Sequence, residues 1–513
     1  MCENNMPVIS EAENASHQES QWKKRFIAPG DRLSQRVMHA GLWAFMLRIA
    51  DRLIGLAQIV VLARILAPED FGLFGIALLA LSVLETFSQT GFSAALIQKK
   101  GDILPYLDTA WTVQAIRGFV LAAILLAIAP SVAVFFGEPG AAPLVQALAL
   151  YQIFGGLVNT GVLYFRKELE FHKEFLYMFS GTLMNLAVAV PAALILRNAW
   201  ALIFGLIAGQ FVRMIVSYLV HPYRPRPRFD RAQNKELSGF GKWVLGSSAL
   251  VFLVTQGDSI LVGKLLGATA LGYYQMAYKI SSIPATEITT VISSVSFPAY
   301  SKLQDRIERL REAYLQVLQV TAFISFPIAG LILVLAPEFT HIFLGENWMP
   351  IVPAMQVLAL AGLARSIAGT SGNLFYAIGK PKIDTLWQIG RLVVFAALIY
   401  PFTLEWGFIG ASIAVFLSIF ISCMGFYLTA IKLMNYNKMI FFKAIAYPLM
   451  STAMAVLLIS GLKTIIGDGI IEFILAILMG ILAYSIAIYL SERFFDYKIT
   501  DNLREIKRSF GRS

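Results

Sequence analysis

Apolar and polar positions fall along this chain in long blocks rather than in residue-by-residue alternation. Fourteen blocks are long and apolar enough to span a bilayer: roughly 38–62, 73–97, 111–136, 143–165, 175–197, 199–220, 243–265, 275–299, 313–336, 351–378, 384–404, 406–431, 440–462 and 470–490. About 20 apolar residues in a helix, at a rise of about 1.5 Å each, match the ~30 Å hydrocarbon core. An outer-membrane barrel would instead show short segments of period two. The pattern predicts an all-α polytopic membrane protein of about 14 transmembrane helices. Residues 1–36 are polar, with no apolar core of a signal peptide, and read as a cytoplasmic tail.

The loops between blocks divide by charge. Basic residues crowd alternate loops: Lys23, Lys24 and Arg25 before the first block, then Lys99 and Lys100, Arg166 and Lys167, and Arg224, Arg226 and Arg228. The series continues with Lys302 and Arg306, Lys380 and Lys382, Lys432 and Lys438, and Arg504 to Arg512 in the tail. The intervening loops hold only Arg64, Arg197, Lys264 and Lys463. The positive-inside rule then places both termini in the cytoplasm, which requires an even number of crossings. Trp43, Trp111, Trp200, Trp243, Trp348, Trp387 and Trp406 fall at or near block ends, as an interfacial belt demands.

The largest inner loop, HPYRPRPRFDRAQNKELSGFGK at 221–242, follows six blocks and reads as a basic linker between two halves. The expected organisation is a six-helix bundle over 37–220, the linker, a second bundle over 243–431, two further helices over 432–491, and a basic cytoplasmic tail over 492–513. The halves repeat. At a shift of 200, Arg64, Leu66 and Gly72 fall on Lys264, Leu266 and Gly272, and Gly41 and Trp43 on Gly241 and Trp243. PLVQALAL (143–150) answers PAMQVLAL (353–360) at a shift of 210, and Gly137-Glu138 answers Gly345-Glu346. Six crossings per half give both halves one orientation, so the repeat is parallel and a substrate is expected between the bundles.

Composition narrows the chemistry. Hydrophobic residues make up 57% and charged residues 14%, against about 25% charged in soluble domains, and the mean hydropathy is +0.67. The net charge of +10 lies in topogenic loops, so no nucleic-acid partner is expected. Cys2 and Cys423 are the only cysteines, which leaves no disulfide framework. There is no HExxH or histidine cluster for a metal and no GxxxxGK[ST] for ATP. No cofactor and no catalytic residues are expected. Outer loops as short as GEPGAA (137–142) leave no room for the catalytic domain of a membrane glycan polymerase or ligase.

The polar exceptions inside the apolar blocks carry the functional signal, because charge at mid-membrane costs several kcal/mol unless it faces protein or water. GLWAFMLRIADRLIGLAQIVVLARILAPEDFG (41–72) places Arg48, Asp51 and Arg52 on one helix face. Near mid-depth the sequence also places Glu85, Asp258, Glu287 and Arg365. Arg48, Arg52 and Arg365 are expected to line a cavity and bind an anionic substrate. Arg117, Arg213 and Arg391 lie nearer the inner helix ends: either a basic funnel for phosphate, which guanidinium suits through bidentate bonds, or snorkelling side chains. Asp51, Glu85 and Asp258 are candidates for coupling to H⁺ or Na⁺, with a structural ion pair as the alternative. Arg64 and Lys264 read as anchored outer helix ends.

LARILAPEDFGLFGIALLALSVLETFSQTGFSAALIQKKGD (62–102) resembles the first two helices of bacterial polysaccharide exporters, the Wzx-type lipid-linked oligosaccharide flippases of the multidrug/oligosaccharidyl-lipid/polysaccharide superfamily. GATALGYYQMAYKISSIPA (267–285), FPAYSKLQDRIERLREAY (297–314), the segment from Ala336 to Lys382, and GFIGASIAV (407–415) continue the resemblance over roughly 40–430. It implies a V-shaped, alternating-access exporter in the bacterial inner membrane, with a cationic central cavity. The implied substrate is an undecaprenyl-diphosphate-linked glycan, moved from the cytoplasmic to the periplasmic leaflet for exopolysaccharide or lipopolysaccharide biosynthesis. Partners implied are that lipid, the surrounding membrane lipids, and glycan polymerase and chain-length machinery. A multidrug cation antiporter or a peptidoglycan-precursor flippase of the same superfamily is the alternative.

Overall fold

The computed structural model describes residues 51–99, 101–168, 170–434, 438–463, 467 and 469–495. Among them the chain is helical, with no β-strand. Residues 51–65 form α1. Then follow α2 (Pro68–Phe87), α3 (Phe92–Gln98), α4 (Leu104–Phe136), α5 (Ala141–Gly156), α6 (Leu163–Lys167), α7 (Phe171–Leu196) and α8 (Trp200–Val220). The second half comprises α9 (Arg231–Leu303), α10 (Ile307–Phe339), α11 (Val352–Ala377) and α12 (Pro381–Met434), with α13 (Lys438–Leu462) and α14 (Ile470–Phe495) behind them.

Two of these are hairpins rather than single rods. Gly267 leaves helical geometry inside α9 (φ 81°, ψ −175°). The two sides then meet, Tyr274 Oη donating to Asp258 Oδ2 at 2.7 Å. In α12 the break is at Trp406 and Gly407, and Trp387 Nε1 reaches Thr429 Oγ1 at 3.1 Å across it. Glycine takes the positive φ of each reversal without Cβ strain. Ten described helices are long and apolar enough to cross a membrane, or eleven with the bent pair Ala141–Gly156 and Thr160–Lys167. Dividing the two hairpins and adding α1 makes this consistent with the fourteen expected.

Helix ends follow local chemistry. Proline occupies the first turn of α2, α4 and α11, where its missing N–H costs nothing. Gly137 closes α4 in a left-handed cap (φ 73°) with Glu138 N bonded to Ala133 O at 2.9 Å. The expected 73–97 block is shorter than its hydropathy suggests: α2 stops at Phe87, Gly91 turns with φ 68°, and 92–98 forms α3. Likewise the expected 143–165 block bends by 67° after Gly156. Beyond the extended stretch 221–230, Asp230 caps Ala232 N and Gln233 N and starts α9 at Arg231.

The turns at 66–67, 137–140, 267 and 345–351 converge on the end that the loop charges place outside, here the outer end. There the two bundles are sealed. A Cβ on Gly72 would lie 1.7 Å from Ala268 O, and one on Gly272 would lie 2.0 Å from Pro68 O. These repeat-related glycines allow α2 and the second arm of α9 to cross backbone to backbone. Around that crossing, Glu138 Oε1 accepts from Ala268 N at 2.7 Å, and Trp348 Nε1 donates to Ala63 O at 2.9 Å. Arg64 and Lys264 complete the seam reciprocally. Arg64 of α1 donates to Phe343 O at 3.0 Å and His341 O at 3.1 Å beyond α10, while Lys264 of α9 donates to Phe135 O at the end of α4. Each cation caps the carbonyls of the opposite bundle's third helix, where the helix dipole favours positive charge.

Apolar side chains cover the outside, as lipid contact permits: Val134 and Ile195 are each 80% exposed and Leu219 76%. At the inner side the 221–230 stretch is bound to α4. Tyr223 Oη donates to Asp108 Oδ1, Arg226 N to the same oxygen at 2.9 Å, and Arg228 N to Thr112 Oγ1 at 2.9 Å. The next turn of α9 holds the first bundle too, with Tyr106 Oη on Glu236 Oε2 at 3.0 Å and Lys99 paired to Glu236.

Candidate functional site

Distances along each helix from its outer turn show how deep each charge lies, at about 1.5 Å per residue. Asp258 is about 13 Å in, Lys279 about 18 Å, Arg213 and Arg365 about 20 Å, Arg52 about 22 Å and Arg391 about 23 Å. Glu85, Arg117 and Glu287 lie about 27–30 Å in, at the inner edge of the hydrocarbon core. Glu85 and Glu287 are therefore not mid-depth groups. Sequence reading centred Glu85 in a block that α2 does not fill, and missed how early the second arm of α9 begins.

Between the bundles, α1 faces the second arm of α9. Arg52 Nε donates to Glu287 Oε1 at 2.9 Å, a pair whose side chains remain 53% and 31% exposed. Lys279, two turns further out on the same arm, feels the field of Arg52. Its side chain is open to space although helices surround it on nearly every side, the position of a group that lines an internal space. Among the described residues, no carboxylate or carbonyl accepts from its ammonium. Two cations from facing bundles thus border one space, and among the described residues Glu287 pairs with Arg52.

The second bundle adds a polar cluster. Asp258 is 3% exposed and accepts from Tyr274 Oη at 2.7 Å and Ser259 N at 2.6 Å. Arg365 donates through Nη2 to Tyr278 Oη at 2.9 Å, with its guanidinium 5.6 Å from that ring's centre. Arg391 lies in the fields of Arg365, Tyr278 and Asp258. The structure brings Asp258, Arg365 and Arg391 into one another's fields, with no ion-pair contact among the three.

The first bundle gathers Glu85 and Arg117 instead. Arg117 Nε donates to Ser88 O at 2.9 Å and Ser88 Oγ at 3.0 Å, and its Nη2 to Glu85 O at 3.2 Å. These are the end carbonyls of α2, so Arg117 caps a helix rather than opening a phosphate funnel. Arg213 stands apart from that pair against Gly181, with its Nε buried and unbonded among the described residues. Arg48 lies outside the described residues. Asp51 is half-buried on α1, one residue before Arg52.

Sequence reading missed Lys279. With its block starting at 275, Lys279 fell at a helix end, where a lysine is an ordinary anchor. Gly267 reverses the chain eight residues earlier and carries it to mid-membrane. The glycine before the Ala-Thr-Ala-Leu run was the available signal.

A family model described as polysaccharide biosynthesis protein matches residues 61–353, more than half of the chain. The chain belongs to the polysaccharide biosynthesis protein family. Among curated members, it is 27% identical over 406 residues to lipopolysaccharide biosynthesis protein WzxC of Escherichia coli strain K12, covering 78% of this chain and 82% of that one. It is 25% identical to succinoglycan biosynthesis transport protein ExoT of Rhizobium meliloti strain 1021, over 65% of this chain and 67% of that one. Among solved structures, this family member's fold matches the lipid II flippase MurJ in an inward closed conformation. The TM-score is 0.73 at 16% identity, covering 88% of this chain and 99% of that one. An inward-facing multidrug resistance MATE transporter matches with a TM-score of 0.60 at 18% identity, over 76% and 96%. The polysaccharide biosynthesis family member is thus a multi-pass membrane protein with two like-oriented six-helix bundles and two extra helices.

Proposed function

We propose that this protein translocates an undecaprenyl-diphosphate-linked oligosaccharide from the cytoplasmic to the periplasmic leaflet of a bacterial inner membrane, by alternating access and without chemical change to its cargo. Both termini lie in the cytoplasm. The observation that carries this reading is the pair of cations, Arg52 and Lys279, presented by opposite bundles to one internal space, with Arg365 at a similar depth. Cations gathered on an internal space favour a multivalent anion, and a diphosphate meets them with charge-assisted hydrogen bonds. A hydrophobic cation would be repelled by the same space, which speaks against multidrug antiport. A transport protein among its relatives and a flippase among its fold neighbours support this reading.

In the sealed outer state, cargo reaches the cations from the inner side, where Glu287 holds Arg52. Exchange of Glu287 for diphosphate frees that carboxylate and leaves both bundles bound to one ligand, which favours closure around it. Coupling to H⁺ or Na⁺ fits a carboxylate such as Asp258, Glu85 or Asp51. Glycan polymerase and chain-length proteins are the partners such an exporter would serve.

The test is uptake of labelled undecaprenyl-diphosphate glycan into everted vesicles. Wild type is expected to accumulate it, and Lys279→Ala and Arg365→Ala to slow uptake about tenfold or more. Wild-type protein that leaves the lipid on its original leaflet would falsify the reading.

A further inference from the structure

The inner half of the first bundle holds a cavity of about 240 Å³, walled by α2, the turn after it, α3, α4, α5, the bend that follows α5, and α8. Its volume is that of about eight waters at ~30 Å³ each, small for a drug-sized ligand, whose pockets run ~300–1,000 Å³. Glu85, Thr90, Gln114, Arg117, Gln152 and Gln210 supply its polar wall. An aliphatic bundle core has no packing use for three primary amides, a carboxylate and a guanidinium. Buried unsatisfied, each would destabilise the fold.

Their hydrogen bonds leave a definite residue of open atoms. Gln152 Nε2 donates to Glu85 Oε1 at 3.2 Å, and Gln114 Nε2 donates to Gly155 O at 2.9 Å. Among the described residues nothing donates to Glu85 Oε2 or to the carbonyl oxygens of Gln114, Gln152 and Gln210. None of these atoms is sealed off from open space, and all four residues line the cavity. The single negative charge of Glu85 is balanced by the field of Arg117, whose Nε and Nη2 are committed to the end of α2. A wall of zero net charge suits neither a phosphate nor a cation. Open acceptors beside amide N–H donors suit hydroxyl groups, which donate and accept together. Tyr151 adds an aromatic face to the lining.

We infer that this cavity is a subsite for one pyranose unit of the transported glycan, separate from the cationic space that takes the diphosphate. The inference rests on the proposed function and deepens it. Glu85 and Arg117 then serve as sugar contact and helix cap, rather than as coupling group and phosphate funnel. Recognition of a single sugar near the lipid anchor accepts glycosylated carrier and passes over the bare one. A site built to hydrogen-bond hydroxyls discriminates against an analogue that lacks them, because its polar groups are left unpaired.

The experiment measures binding of two lipids to the full chain in nanodiscs: undecaprenyl diphosphate, and undecaprenyl diphosphate carrying one hexose. Wild type is expected to prefer the glycosylated lipid. Gln152→Leu and, with almost no change of shape, Thr90→Val are expected to lower the preference about five- to tenfold, the factor one neutral hydrogen bond carries. A ratio of affinities does not depend on the folded fraction, so partial misfolding of either variant does not mask the result. Wild type that binds both lipids equally, or variants that keep the preference, overturns the sugar subsite and leaves the proposed function standing. Wild type that binds neither lipid overturns the proposed function itself.

Discussion

His221 shows how one side chain fixes a membrane protein's inner rim. It is 9% exposed and stacks on Tyr164 at 5.7 Å with the rings 8° from parallel. Its Nδ1 accepts from Tyr223 N at 3.1 Å, which requires the ring nitrogen to be unprotonated. Burial, reinforced by the charge of Lys173, pushes its pKa down to about 4. An unfolded chain protonates this histidine near 6.5, the folded one only near 4. The stability it contributes is therefore complete above about pH 6.5 and is lost as pH falls toward 4, by roughly 3 kcal/mol in all. Thermal melting of purified protein should fall between pH 7.5 and pH 5, and His221→Gln should flatten part of that slope. An unchanged slope in the variant would place the pH dependence elsewhere.

Lys279 and Arg117 carry the contrast between type and place at this scale. Both are single cations in apolar blocks, alike to any reading of residue type. Arg117 meets the carbonyls of Ser88 and Glu85 and is satisfied by them. Among the described residues Lys279 has no such acceptor and lies in the field of Arg52. Which backbone end lies opposite a side chain depends on how helices cross, and helix crossings are not written in local sequence.

Among elements, the crossing of α2 with the second arm of α9 decides which end is shut. Helices approach this closely only where a side chain is missing from both, so Gly72 and Gly272 act as a matched pair. Neither wall can yield, because a Cβ on Gly72 would meet the backbone of Ala268 rather than a mobile side chain. Gly72→Ala should destabilise the sealed arrangement by about 1–3 kcal/mol, the usual cost of overpacking. A state with the outer end apart does not contain this contact, so the population shifts toward it. Maleimide labelling of Tyr273→Cys, beside the seam, should accelerate in that background. No acceleration would mean the seam stays closed or tolerates the methyl by sliding. The reciprocal caps of Arg64 and Lys264 belong to the same closure. The sequence assigned them to matching outer ends, and the structure adds that each binds the opposite bundle.

For the whole molecule, the outer end is joined and the cations lie inward of the joint. Transport by rocking requires that joint to part on every cycle. Glu138→Cys and Ala268→Cys, joined by a short thiol cross-linker in a Cys2→Ser background whose remaining Cys423 is buried, should abolish uptake into vesicles. A reducible linker should restore it on cleavage. Continued transport by fully cross-linked protein would exclude opening at this end.

The chain by itself determined the class and the family, and set the expected crossings and parallel repeat. All of these rest on features that are local or summed along the chain: runs of apolar residues, loop charges, spacing of matched segments. It also identified most of the buried charges, since a cation in an apolar block stands out whatever surrounds it. Only the tertiary structure decided which charges share a space, that Arg117 caps α2 while Lys279 goes uncompensated, and that Glu85 borders a neutral cavity. The cause is geometric. A turn displaced by a few residues at Gly91 or Gly267 moves every later side chain on that helix by 1.5 Å per residue in depth and about a third of a turn in direction. The partner across the gap comes from a segment some two hundred residues away, on which local sequence is silent.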